Sequence, residues 1–123
     1  MKSNTNAIRK QIRKEILRFC ENVNYRKRPQ PVKYPYVIFE LKVMQVTDGK
    51  AQCRLEINCV SNNAAEVEDI ADGIWDIFDE YSHLDASTAF ETYAMQRDIV
   101  EEEDKEIERR RLIFELNYHK REE

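Results

Sequence analysis

Apolar residues recur at helical spacing in two segments of the chain. In the first they stand three or four positions apart, at Ile8, Ile12, Ile16, Phe19, Cys20 and Val23. In the second they form a broader stripe of Val67, Ile70, Ala71, Ile74, Ile77, Phe78 and Tyr81. This spacing places apolar side chains on one face of an α-helix. The pattern predicts an N-terminal helix within residues 1–23 and a second helix over 63–81. Asn63 with Glu66 three residues later is typical of a helix start.

Between the helices the pattern changes to strict alternation. Residues 36–60 predict a β-hairpin around Thr47-Asp48-Gly49, and its register follows from the apolar positions. A three-residue loop pairs Val43 with Cys53, Leu41 with Leu55 and Phe39 with Ile57, which places both apolar sets on one face of the sheet. A two-residue loop would place them on opposite faces. We therefore predict the three-residue loop, with Gly49 in the left-handed conformation of a bulged turn.

The same register makes the other face of the hairpin charged. It sets Glu40 opposite Glu56 and Lys42 opposite Arg54. Like charges that face each other across a strand pair are mildly unfavourable, although the Lys42–Glu56 diagonal offsets part of this. This face is either solvated or meets a partner.

A second hairpin is predicted over residues 87–119. Its second strand alternates clearly, with Leu112, Phe114, Leu116 and Tyr118 on one side. A rival interpretation makes 98–111 a helix, but only Ile99, Val100 and Ile107 would form its apolar side, too few to dock it. We expect the tip at 101–106 and expect residues 95–112 to project as a charged arm that needs a neighbour, because an isolated two-stranded ribbon is marginally stable in water.

These elements predict one α+β domain over residues 1–123. Residues 24–35 are predicted to be a basic, extended linker, because Pro29, Pro31 and Pro35 disfavour a helix. The expected order is α-β-β-α-β-β, with a single antiparallel sheet of about four strands and both helices on one face.

The charge distribution adds a prediction about partners. Charged residues make up 36% of the chain and the net charge is −4. Residues 1–28 nevertheless hold nine Lys or Arg against two Asp or Glu, while residues 29–123 hold eleven against twenty-two. Opposite poles on a small domain suit head-to-tail contact between copies. The predicted interface residues are Arg9, Arg13, Lys14, Glu40, Lys42, Arg54, Glu56, Glu101, Glu102, Glu103, Asp104, Arg109, Arg110 and Arg111.

Catalytic signals are weak in this sequence. The chain has two glycines and therefore no glycine-rich phosphate loop, and its three cysteines lack the spacing of a metal site, so we interpret them as small buried side chains. Glu40-x-Lys42 on a strand resembles part of a Mg²⁺-dependent nuclease site, and the basic N-terminal segment around Tyr25 could bind nucleic acid. A wet strand face shows the same Glu-x-Lys alternation. We predict no catalytic, cofactor-binding or metal-binding residues.

Targeting signals are also weak. The longest apolar run is Tyr36 to Phe39, too short to span a membrane, and the basic N-terminus lacks the apolar segment of a secretory signal. The sequence therefore predicts a cytoplasmic protein without a membrane partner.

Three stretches, taken with the N-terminal amphipathic helix, resemble a known family. They are "YPYVIFEL", "CRLEINCVSNNAAEVEDIADGIWDIF" and "IERRRLIFELNYH". Their order and strand style are similar to those of the tail terminator proteins of long-tailed phages and prophages, also called tail completion or head–tail joining proteins. The resemblance is one of layout rather than of a catalytic signature.

The resemblance implies a structural protein of the virion rather than an enzyme. Such proteins assemble as homo-oligomeric rings, commonly hexamers, which cap the tail tube and dock on the head connector proteins. DNA passes through the lumen without specific binding, which an acidic lumen would favour by repelling phosphates. Glu101 to Asp104 are therefore candidates for a loop that faces the lumen or the tail tube. The implied location is the host cytoplasm during assembly and then the head–tail junction. Two alternatives stay open: another head–tail connector or minor virion component, and a small nuclease or nucleic-acid-binding protein.

Overall fold

The computed structural model describes residues 4–86 and 88–119. These residues form two helices and six strands in the order α-β-β-β-α-β-β-β. Their bounds are α1 Asn4–Ile16, β1 Val23–Tyr25, β2 Tyr36–Thr47, β3 Lys50–Ser61, α2 Ala64–Phe78, β4 Tyr81–Leu84, β5 Ala89–Val100 and β6 Glu108–His119.

All six strands belong to one mixed sheet in the spatial order β1-β2-β3-β6-β5-β4. The four long central strands are antiparallel, and β1 pairs with β2 in parallel. The predicted α+β class is therefore confirmed, whereas the prediction of about four antiparallel strands is wrong. Two short strands, β1 and β4, were missed because three or four residues are too few for a periodic pattern.

The core lies between the two helices and one face of the sheet. Ile8, Ile12 and Ile16 of α1 are fully buried in the same cluster as Leu55 of β3 and Phe114 of β6. Helix α2 adds a buried stripe of Val67, Ile70, Ala71, Ile74 and Phe78. These are five of the seven positions that the sequence predicts; Ile77 is half-buried, and Tyr81 lies outside the helix.

The first hairpin has the predicted register but a different turn. Val43 pairs with Cys53, Leu41 with Leu55 and Phe39 with Ile57. The turn, however, is the two-residue Asp48-Gly49 loop with φ values of 41° and 77°, because Thr47 still pairs with Lys50. Positive φ at both central residues is typical of a type I′ turn. A bulge at Met44 restores the apolar register that the shorter loop would otherwise reverse.

Three predicted boundaries are corrected. Helix α1 ends at Ile16 rather than near Val23, which lies in β1. The predicted linker therefore contains part of a strand, and its Gln30–Pro31 and Tyr34–Pro35 peptide bonds are cis. Helix α2 ends at Phe78, and Tyr81 begins β4.

The cap at the start of α2 includes a serine hydroxyl between its two predicted residues. The Asn63 side chain accepts a hydrogen bond from the Glu66 backbone N–H at 3.0 Å. The Glu66 carboxylate does not return to Asn63 but accepts from the Ser61 hydroxyl at 2.7 Å, and that hydroxyl accepts from the Asn63 N–H at 3.1 Å. The predicted cap is confirmed, with Ser61 added between its two partners.

The second hairpin does not project. Strand β6 pairs with β3 along its whole length, from Glu108 opposite Ser61 to His119 opposite Lys50. On its other side β6 pairs with β5 from Ala89 to Val100. Only the tip between β5 and β6 extends past the ladder. Pairing with β3 stabilises this ribbon within its own domain, so the predicted projecting arm is wrong.

All three cysteines, Cys20, Cys53 and Cys59, are free and buried. Burial raises the pKa of the Cys53 thiol to about 11 and that of Cys59 to about 12. They fill core positions as the sequence predicts.

Candidate assembly surface

The three consecutive arginines of β6 point to alternate faces and find partners within the chain. Arg109 contacts Glu102 at 3.2 Å, and Arg111 contacts Asp98 at 2.9 Å. Arg110 lies between them on the helix-covered face. The predicted contact of these arginines with a neighbouring copy stays a prediction, and any such contact would have to compete with these internal ion pairs.

Arg110 is the buried member of the triplet. Its side chain is 7% exposed and contacts Glu68 of α2 and, at 3.1 Å, Glu108. Burial opposes the charged guanidinium and lowers its pKa, but hydrogen bonds to the two carboxylates outweigh this effect, and the pKa of Arg110 lies above its ordinary value. Arg97 of β5 adds a second link to α2, through Glu68 at 3.1 Å and Asp72. These two arginines attach α2 to the end of the second hairpin.

Asp98 connects the two strands of that hairpin. Hydrogen bonds from Arg111 and Gln96 hold the pKa of its carboxyl below the ordinary value of 3.8. A carboxyl whose pKa is lower in the folded chain stabilises the fold above its unfolded pKa. That stabilisation is lost as the pH falls through the lowered value.

We expect Asp98→Asn to lower the melting temperature at pH 7, because the asparagine cannot pair ionically with Arg111. The difference from the wild type should begin to shrink as the pH falls below the ordinary value of 3.8 and should vanish as the pH falls through the lowered pKa of the folded carboxyl. Thermal unfolding of dilute wild-type and variant protein, followed from pH 7 into acid, measures the difference in melting temperature. Asp76→Asn is a matched control, because Asp76 is exposed on α2 and forms no ion pair in the described chain. A difference that persists unchanged in acid would contradict the ionic origin.

The open face of the sheet carries the predicted charged patch. Glu40, Lys42, Arg54 and Glu56 line one depression of about 210 Å³. Arg54 contacts Glu56 at 3.1 Å along β3, and Glu40 lies 3.7 Å from Arg26. The patch is therefore present as predicted. Within residues 4–86 and 88–119, no group of three or more His, Cys, Asp or Glu is placed to hold a metal ion.

The helical layer divides the charge between its two helices. Arg13 and Lys14 are exposed on α1, while Asp69, Asp72 and Asp76 are exposed on α2. Arg9 is half-buried, because its guanidinium lies over the Tyr25 ring, 3.5 Å from the ring centroid. The helical layer thus exposes a cationic patch on α1 and an acidic patch on α2.

The acidic run occupies the tip of the second hairpin, with Glu102 half-buried and the other three acids exposed. Glu101 contacts Lys105 at 3.5 Å, and Glu102 contacts Arg109. The remaining acids, Glu103 and Asp104, leave the tip negatively charged.

Sequence reasoning missed two exposed methionines at strand bulges. Met44 of β2 is 59% exposed and Met95 of β5 is 63% exposed. The register of β2 shifts at Met44, and the register of β5 shifts at Met95. Both methionines line a groove of about 260 Å³ on the open face, with Ile113 among the other lining residues. The available signal was a large apolar residue that breaks the alternation of each strand.

None of the helices that the structure describes is long and apolar enough to cross a membrane.

Comparison with known proteins gives a structural match. No protein-family model matches the sequence, and no curated protein matches it. Among solved structures, the fold is similar to that of a chain in the virion of a native gene transfer agent particle, with a TM-score of 0.72 and 15% sequence identity. The match covers 91% of this chain and 91% of that chain. At this identity the likeness is one of fold, and it extends over nearly the whole of both chains.

Proposed function

We propose that this chain is a structural subunit of a phage-like or prophage-derived particle, and more specifically a ring-forming tail terminator. In this role it caps the tail tube and joins it to the head connector. The observation that carries the proposal is the similarity of fold to a virion chain, which extends over 91% of each of the two chains. The family resemblance of the strand and helix segments points the same way by an independent route.

The charge layout supports assembly from copies. A ring needs two different complementary patches on every subunit, since each copy meets its neighbours through opposite sides. The exposed cations of α1 and the exposed acids of α2 provide unlike patches on one domain. Assembly would take place in the host cytoplasm, and the finished ring would lie at the head–tail junction.

The acidic tip suits a lumen through which DNA moves. Phosphates are repelled by carboxylates, so a ring of tips with exposed Glu103 and Asp104 would let DNA slide without binding it. The ring, the tail tube and the head connector are the partners in this proposal, and the subunit itself performs no catalysis.

Imaging tests the proposal directly. Purified protein, alone and mixed with the tail-tube protein of the same particle, is examined by negative-stain microscopy and native mass spectrometry. We expect annular particles of about six copies, free or at the ends of tubes. A protein that stays monomeric under both conditions and cleaves DNA when Mg²⁺ is added would contradict the proposal and favour the nuclease alternative.

A further inference from the structure

Both long outer strands of the sheet have a free edge, and the two free edges lie at opposite ends of the strands. Strand β1 covers β2 only from Val37 to Phe39. Strand β4 covers β5 only from Ala89 to Thr92. Beyond these short strands, no strand of the described chain pairs with the outer side of β2 or β5. Unpaired edges of this length template pairing with another chain unless they are blocked.

A tyrosine sets the beginning of the free edge on β2. The Tyr25 hydroxyl accepts a hydrogen bond from the Leu41 N–H at 3.0 Å and donates one to the Leu41 carbonyl at 3.1 Å. These backbone groups therefore point outward, and they are already satisfied. The free edge begins at Lys42 and ends at Thr47, six residues later. On β5 the free edge runs from Tyr93 to Val100.

The free edges carry most of the exposed apolar side chains. Nine large hydrophobic residues of the described chain are exposed, and six of them lie on these two segments: Val43, Met44, Val46, Tyr93, Met95 and Ile99. Edges that are kept apart usually carry charges, prolines or very short strands. These two carry apolar side chains at three positions each, which is typical of surfaces that become covered.

We propose that the free edge of β2 in one copy pairs with the free edge of β5 in the next copy, so that the sheets of neighbouring subunits continue into one another. The inference rests on the proposed ring and adds how its subunits join. Strand directions permit it, because β2 and β5 run antiparallel within the sheet. A neighbour related by rotation therefore presents its β5 antiparallel to β2.

Side-chain chemistry selects one register. When Thr47 at the end of one free edge is set opposite Tyr93 at the start of the other, Lys42 lies opposite Asp98, and Ile99 and Val100 extend beyond the aligned segment. Lys42 has no ion-pair partner in the described chain, and Asp98 lies on the same open face, as its contact with Arg111 shows. The register thus joins unlike charges across the contact, with the Asp98 carboxylate shared between Lys42 of the neighbour and Arg111 of its own chain.

The same register implies a strand tilt. Within one copy Lys42 pairs with Arg54, Arg54 with Glu115, and Glu115 with Tyr93. Lys42 and Tyr93 therefore lie at the same height across the sheet. To bring Lys42 opposite Asp98 instead, the neighbouring copy must shift along the strand direction by about four residues, roughly 13 Å. This shift accumulates across the four long strands of one copy, a width of roughly 19 Å. The corresponding tilt is about 35°, within the 35–45° that closed sheets adopt. In a closed barrel of tilted strands, neighbouring sheets overlap along only part of their edges. The parts that do not overlap lie at opposite corners of the sheet, where β1 and β4 cover them.

Engineered cysteines test the register. The double variant Lys42→Cys with Asp98→Cys is oxidised and run on a non-reducing gel. Within one chain β2 and β5 are three strand spacings apart, roughly 14 Å, which exceeds disulfide reach, so every crosslink joins two copies. We expect a ladder of covalent multimers that ends at the ring size and collapses to monomer on reduction. Thr47→Cys with Tyr93→Cys should give the same ladder without altering Asp98.

Matched variants control the result. In the double variant Lys42→Cys with Val100→Cys, both cysteines still lie on the open face, but the second is two residues out of register. We expect this variant to crosslink about tenfold more slowly, or slower still. Val43→Pro removes an outward N–H, since outward and inward groups alternate from Leu41, and should abolish the oligomer while circular dichroism of the monomer is unchanged. If rings form but neither cysteine pair gives a ladder of crosslinked multimers, the edge pairing is overturned and the proposed function still stands. Absence of any oligomer, alone or with the tail-tube protein, would overturn both.

Discussion

Phe114→Ala is expected to destabilise the fold by about 3–5 kcal/mol, the cost of emptying a large buried site. The ring of Phe114 is fully buried at the middle of β6. Its centroid lies 5.3 Å from that of Trp75 and 5.7 Å from that of Phe78, so it joins the sheet to α2 through two aromatic contacts. The loss would remove a large part of the stability of 5–15 kcal/mol that is usual for a domain.

Urea unfolding followed by circular dichroism measures the effect. Leu84→Ala is the matched control, because Leu84 is an apolar strand residue that is 72% exposed. Its cost should stay within about 0.5 kcal/mol. A cost below about 1 kcal/mol for Phe114→Ala would mean that the core is not organised around this ring.

The second large effect is expected at Arg110. We expect Arg110→Ala to cost about 2–3 kcal/mol, because it leaves Glu68 and Glu108 close together without their shared cation. Removal of one partner from a fully buried pair costs about 3–5 kcal/mol. The smaller value follows because the Glu68 and Glu108 side chains are 42% and 33% exposed and regain water.

Arg109→Ala provides the comparison on the next residue. The Arg109 side chain is 35% exposed and contacts Glu102, so its pair resembles a surface ion pair worth at most about 1 kcal/mol. Equilibrium unfolding of both variants, together with Glu68→Gln and the double variant, gives the coupling between α2 and β6. Equal costs for Arg109→Ala and Arg110→Ala would contradict the assignment of Arg110 as the buried link.

The sequence predicts the long elements because their apolar periods are unambiguous. The stripe of α2 and the alternation of β6 each have one consistent solution, and both are confirmed. Strand β1 was not predictable from its three residues, since its place depends on parallel pairing with Val37 to Phe39. Local periodicity carries no information about such long-range contacts.

The first hairpin shows how a correct register can follow from an incorrect turn. The apolar sets fixed the pairing of Phe39 with Ile57, but two structures satisfy that pairing: a longer loop, or a shorter loop with a bulge further along the strand. The chain adopts the second, with Met44 as the extra residue. Burial constrains which faces match, and it does not determine where the extra residue is accommodated.

The arginines of β6 show which features of a charged surface the sequence specifies and which it leaves open. Arg109 to Arg111 alternate across the ribbon as expected, yet their carboxylate partners lie on α2, on β5 and at the tip of the same chain. Which acid meets which arginine depends on how α2 crosses the sheet. That crossing is a tertiary feature, so the sequence shows only that enough acids are present.

The burial of two thiols has a chemical consequence for the oxidation of this chain. Burial raises the pKa of the Cys53 thiol to about 11 and that of the Cys59 thiol to about 12, so the thiolate form of both is scarce at neutral pH. Since the thiolate is the form that peroxides attack, Cys53 and Cys59 should persist unoxidised in aerated medium. The core packing around these two side chains would then persist in air without any reducing agent.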